Sequence, residues 1–104
     1  MTPASAREFF TQLEERIDPD RTRGMSATYR FEIENAGTWR LEVADGRVSV
    51  TESDAAADCV LRASEEIFLR IVRGEQSPTT AFMTGKVRIE GDVGLALKLR
   101  ELVG

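Results

Sequence analysis

The stretch "TYRFEIE", residues 28–34, alternates without a break: Tyr29, Phe31 and Ile33 fall on one side, Arg30, Glu32 and Glu34 on the other. Successive side chains of a strand point to opposite faces, so this pattern is a strand with one greasy and one solvated face. It recurs in "TWRLEV" at 38–43, where Trp39, Leu41 and Val43 oppose Arg40 and Glu42. It recurs in "RVSV" at 47–50, in "CVLRA" at 59–63, and in Lys86-Val87-Arg88-Ile89-Glu90. Five such strands predict a sheet covered on one face only, and the reading is an antiparallel one. "NAG" at 35–37 and Asp45-Gly46 are hairpin turns, the second a strong signal because glycine accepts the positive φ such turns need. On the charged face the arginines and glutamates suit cross-strand pairing, worth a few tenths of a kcal/mol per pair.

A greasy sheet face needs cover, and helical segments supply it. Residues 3–17 read as a helix, with Thr2 as cap and Pro3 at the first position, or with Ser5 and Glu8 in a second capping register. Its apolar side is Ala6, Phe9, Phe10, Leu13 and Ile17, and "DPD" at 18–20 stops it. Ser64 caps a second helix whose stripe is Ile67, Phe68, Ile71 and Val72; Glu65 and Glu66 suit its dipole, and Gly74 ends it. Ser77-Pro78 opens a short helix through Met83, and Asp92 caps the last, "VGLALKLRELV". The predicted fold class is α+β, a two-layer domain over residues 1–104: a five-stranded antiparallel sheet with about four to five helices on one face. No linker, repeat or low-complexity segment interrupts it.

Composition narrows the function. The chain has 104 residues, 41% of them hydrophobic and 31% charged, at a net charge of −4. That balance argues against nucleic acid, which needs a basic face. Histidine is absent, removing the commonest general base and transition-metal ligand. Cys59 is the one cysteine, so no intrachain disulfide forms and a reducing compartment is expected. As a small residue on a strand's apolar face it reads as packing rather than as a nucleophile. Asp54 and Asp58 lack the regular oxygen ligands of a calcium loop. "GKVRIEGD" is no phosphate loop, because a strand follows Lys86 where that motif demands a helix. No secretory signal is visible, and no apolar run approaches the roughly 20 residues of a membrane span. The expectations are a cytoplasmic location, no catalytic residue, no metal, no cofactor and no stable membrane insertion.

At residues 57–102 the motifs gather. "ADCVLRASEEIF", followed by "SPTTAFMTGKVRIEGDVGLALKL", resembles the sterol carrier protein type-two family, and "GTWRLEVADGRVSV" is similar to its hairpin. The resemblance covers about residues 25–103. It implies helices and sheet enclosing an apolar tunnel for fatty acid, fatty acyl-CoA, sterol or a related lipid, in a domain that is not itself an enzyme. No counterpart of the family's C-terminal segment or peroxisomal signal is expected, and Thr84 stands where the family often has a glutamine that contacts the head group. The apolar faces give the expected lining: Phe31, Ile33, Trp39, Leu41, Val87 and Ile89 from the sheet, and Phe68, Val72, Phe82, Met83, Leu95, Leu99 and Leu102 from the helices, with Thr84 beside them. Singly, each of these more often packs a core than touches a ligand. The expected partner is a hydrophobic small molecule, each buried methylene contributing roughly 0.8 kcal/mol. Two other readings use the same cleft: a protein-interaction module, a homodimer included, and an accessory module serving enzymes of a lipid or quinone pathway.

Overall fold

In a computed structural model, residues 4–17 and 19–103 are described. The element order is α1 (Ala6–Arg16), α2 (Pro19–Thr22), β1 (Ser26–Glu34), β2 (Gly37–Ala44), β3 (Arg47–Glu52), β4 (Cys59–Ser64), α3 (Glu65–Val72), α4 (Pro78–Met83), β5 (Val87–Gly91) and α5 (Val93–Val103). All five expected strands are present, and α2 is one added turn that "DPD" hid.

The sheet runs β3-β2-β1-β4-β5 and is mixed. Every neighbouring pair is antiparallel except β1 and β4, which are parallel with Phe31 opposite Leu61 and Ile33 opposite Ala63. The all-antiparallel expectation is corrected here. Alternation assigns faces but carries no information on which strands meet. The chain reaches β4 through residues 53–58, which pass over the charged face. Arg30 Nη1 donates to the Asp54 and Ala55 carbonyls at 3.2 and 3.4 Å, and Arg40 Nε donates to Ala56 at 3.2 Å. Arg30 and Arg40 are direct cross-strand partners, so the loop carbonyls offset a like-charge contact. The expected cross-strand Arg–Glu pairing is carried by Arg62, which reaches both Glu32 and Glu90 at 3.3 Å, while Glu32 also accepts from Arg30 of its own strand at 3.0 Å.

The turns follow their residues. Asp45 and Gly46 both have positive φ, 43° and 86°, which suits the tight twist between β2 and β3. That turn is pinned from outside as well. Asp45 N–H donates to the Met25 carbonyl, and Asp45 Oδ1 accepts from Gly24 N–H, both at 2.8 Å.

Helix α1 begins at Ala6, after the non-helical Ala4 and Ser5. Ser5 Oγ accepts from Glu8 N–H at 3.1 Å, the second of the two expected registers, while Thr2 and Pro3 lie outside the described residues. Glu65 stands in the first turn of α3, where its charge suits the dipole as expected, and its Oε2 also accepts from Ala6 N–H at 3.2 Å, satisfying a donor that α1 leaves open. Ser64 and Ser77 cap α3 and α4 as expected.

The helices lie on the apolar face. Ala6, Phe9, Phe10, Leu13 and Ile17 of α1 are all buried, packed with Tyr29, Phe31, Ile33, Trp39, Leu41 and Val43 of the sheet. Phe10 is the hub: its ring stacks on Trp39 at 4.7 Å and on Phe68 at 5.4 Å, and meets Phe31 at 5.0 Å. Arg7 lies over the Trp39 ring at 5.6 Å and reaches Glu52 at 2.7 Å, closing the outer side of this half.

A candidate lipid cavity between sheet and helices

Helix α1 fills the space above β2 and β1. Above β1, β4 and β5 the packing is incomplete, and a cavity of about 590 Å³ remains. That lies within the roughly 300–1,000 Å³ of small-molecule sites. Its floor is two rungs of the sheet: Phe31, Leu61 and Ile89 form one, Ile33, Ala63 and Val87 the other. The parallel β1–β4 pairing is what places these six side chains together. Phe9 and Leu13 of α1 form one wall; Phe68, Ile71 and Val72 of α3 form another. Gly74, Pro78, Thr79 and Phe82 lie on the α3–α4 side, and Val93, Ala96 and Leu97 come from α5.

The lining is apolar but for one residue. Thr79 carries the one polar side chain among the described lining residues, and none of them is charged. An ionised head group in this interior would lose its hydration without a partner, at a cost of several kcal/mol. The cavity therefore suits a hydrocarbon body, with any charged end left at the mouth. Cys59, buried on β4 outside the described lining, is not poised as a nucleophile. Burial, with the nearby Asp92 carboxylate, pushes the Cys59 thiol from its ordinary 9.0 to about 11. Among the described residues no group of three or more Cys, Asp or Glu side chains is placed to hold a metal, and no helix is long and apolar enough to cross a membrane.

Of the expected lining residues, Phe31, Ile33, Phe68, Val72, Phe82, Val87 and Ile89 face the cavity. Trp39 and Leu41 do not: they lie on β2, under α1, in the packed core. Met83 points to solvent. Thr84 Oγ1 donates back to the Thr80 carbonyl at 2.8 Å, a local helix-end bond away from the lining. Leu95 packs against the core edge, and its carbonyl accepts from Tyr29 Oη at 2.8 Å. Leu99 and Leu102 lie on α5 outside the described side chains. Sequence reasoning missed Phe9, Leu13, Leu61, Ala63, Ile71, Val93, Ala96 and Leu97. Their periodicity was visible, but only the strand order shows that β4, not β2, floors the cavity.

A one-sided sheet, a short Ser-Pro helix, the Gly-punctuated β5 and an apolar hole over β1-β4-β5 form one arrangement, and the SCP-2 sterol transfer family matches residues 8–104 of this chain. The chain belongs to that family. The SCP-2 fold is equally evident in solved structures. The palmitated SCP2L2 of Aedes aegypti superposes with a TM-score of 0.73 over 95% of this chain and 94% of its own, at 22% identity. The SCP-2 chain also resembles part of an inverting sec-alkylsulfatase of Pseudomonas sp., with a TM-score of 0.78 and 25% identity over 93% of this chain and 15% of that one. In sequence it is 33% identical over 102 residues to hydroxysteroid dehydrogenase-like protein 2 of Xenopus tropicalis, covering 94% of this chain and 24% of that protein. The chain thus spans about a quarter of the length of that curated relative.

Proposed function

We propose that this chain binds and carries a hydrophobic ligand (a fatty acid, fatty acyl-CoA, sterol or related lipid) in the cavity between sheet and helices, and that it does so without catalysis. The apolar character of the lining of this 590 Å³ cavity, relieved only by Thr79 among the described residues, carries this reading. The family's description as sterol transfer proteins supports it, as does the palmitate in the Aedes relative. The proposed residues are those that line the hole, with Phe31, Ile33, Phe68, Val72, Phe82, Val87 and Ile89 at the centre of the assignment. We place the carrier in the cytoplasm and assign it no cofactor, metal or nucleic acid.

Lipid extracted from the purified protein should contain one dominant hydrophobic species. Palmitate, palmitoyl-CoA or a sterol should raise the melting temperature, because a ligand at a hundred times its Kd stabilises by about 2.7 kcal/mol. Ala96→Phe, which fills the cavity from α5, should cut affinity at least tenfold, whereas Met83→Trp, on the solvent side of α4, should leave it unchanged. No shift with any of the three ligands, or equal affinity in both variants, would count against this site.

A second reading follows from the length relation. Curated relatives such as the dehydrogenase-like protein are several times longer than this chain. On that reading the domain presents a lipid-like substrate to an enzyme, fused or separate. A shared ligand between this chain and a co-purifying enzyme would favour it; ligand binding with no such enzyme favours the free carrier.

A further inference from the structure

The sheet has two edges, β3 and β5. Arg7 of α1 ties down the first through Glu52 at 2.7 Å. The second is bare. Asp92 N–H donates to the Asp58 carbonyl at 3.0 Å, and bonded and non-bonded pairs alternate along an antiparallel ladder. In the β4–β5 register Arg88 and Glu90 are therefore the residues bonded to β4, opposite Arg62 and Val60. The N–H groups of Val87, Ile89 and Gly91 point the other way, and among the described residues nothing accepts from them. Such an edge is a template for another strand unless its side chains forbid it.

The side chains of β5 favour one particular strand. Lys86, Arg88, Glu90 and Asp92 occupy every second position, two cations and then two anions, and all four are exposed. A second copy of β5 laid antiparallel meets this row reversed. With a twofold axis at Ile89, Arg88 of one copy lies opposite Glu90 of the other, and Lys86 opposite Asp92. An axis at Val87 or Arg88 sets cation against cation at its centre; an axis at Glu90 or Gly91 sets anion against anion. The axis at Ile89 also brings the outward N–H groups of Val87, Ile89 and Gly91 into bonding register with the other copy. Arg88 needs such a partner. Within its own chain it faces Arg62, a like-charge contact, and no carboxylate among the described residues pairs with it.

We propose that two copies of this chain pair edge to edge through β5, antiparallel about an axis at Ile89, into one continuous sheet. Glu90 of each copy then bridges Arg62 of its own chain, at 3.3 Å, and Arg88 of the other. Ile89, which floors the cavity at this edge, is covered by its counterpart, so the two cavities lie side by side. A strand of five residues buries well under the roughly 1,200 Å² of a stable interface, so monomer and dimer exchange with concentration. The pairing needs no ligand, and it stands or falls apart from the carrier reading.

Sedimentation velocity from micromolar to millimolar protein tests this. The parent should pass from monomer to dimer across that range, and less readily in high salt. Arg88→Glu reverses two symmetric contacts and should weaken association at least about tenfold. It also sets an acid opposite Arg62, so the monomer should melt no lower than the parent. Glu90→Arg should weaken association likewise. Mixed in equal amounts, the two variants bring opposite charges together again in both contacts, and dimer should return. Hydrogen exchange at the Val87 and Ile89 amides should slow only at the higher concentration. A parent that stays monomeric throughout, or a mixture no more dimeric than either variant alone, would overturn the proposal. So would a dimer that Arg88→Glu leaves intact and Met83→Ser, on exposed α4, dissolves.

Discussion

Tyr29 and Cys59 are buried partners across the β1–β4 register, and both titrate late. Burial, helped by the Cys59 and Asp92 charges, pushes the Tyr29 phenol from 10.0 to about 12; the Cys59 thiol moves from 9.0 to about 11. Both groups are neutral in the fold and ionise sooner in the unfolded chain. Their contribution is whole below pH 9 and is lost as the pH rises toward 12. Urea titrations should therefore show stability falling from pH 9 upward. Tyr29→Phe with Cys59→Ala should flatten that fall. Tyr29→Phe alone also removes the hydroxyl bond to Leu95, costing about 1 kcal/mol near neutrality. At the acid end Glu32 matters. Burial acts to raise its carboxyl, but hydrogen bonds and charge from Arg30 and Arg62 hold it below the usual value. Its contribution is lost only as the pH falls through the carboxylate range.

Among the elements, the glycine at the end of β5 is the most constrained. Gly91 has φ 87°, and a Cβ there would collide with the Asp58 carbonyl, which already accepts from Asp92 N–H at 3.0 Å. Gly85 has a similar φ of 79° but open space where its Cβ would stand. Gly85→Ala should cost about 1–2 kcal/mol, the left-handed penalty alone. Gly91→Ala should cost clearly more, because the 53–58 crossover must also shift; equal midpoints in urea for the two variants would contradict this. The caps Ser64 and Ser77 were legible in the sequence, since each rests on a bond to an N–H three residues on. The β1–β4 pairing was not legible. It depends on where a six-residue loop lands, and the loop residues Asp54, Ala55 and Ala56 give only carbonyls to the arginines that hold them. That hidden pairing explains why Trp39 and Leu41 were expected in the cavity, while Leu61 and Ala63, whose alternation was equally clear, were not.

At the scale of the whole molecule, the chain has two unequal halves that share β1. One is a local meander, β1 to β3 under α1, closed by the Phe10–Trp39 stack. The other, β4 to α5, joins through a pairing of residues about thirty positions apart in sequence and encloses the hole. Contacts of high sequence separation form late, and a poorly filled region opens first. Native-state hydrogen exchange should thus show amides of β5 and α5 exchanging well before those of β1 and β2, and bound lipid should slow the first set alone. Uniform protection across both halves would contradict this division.

The loop over the charged face then has a meaning in time as well as in space. Residues 53–58 tether the late half to the finished one through the carbonyls that Arg30 and Arg40 hold. If the late half opens as predicted, that tether should keep β4 near its place on β1, so that re-closure needs no new search. The side of the cavity formed by β4 and β5 would then be a door hung on one fixed hinge, able to swing without the strand losing its register.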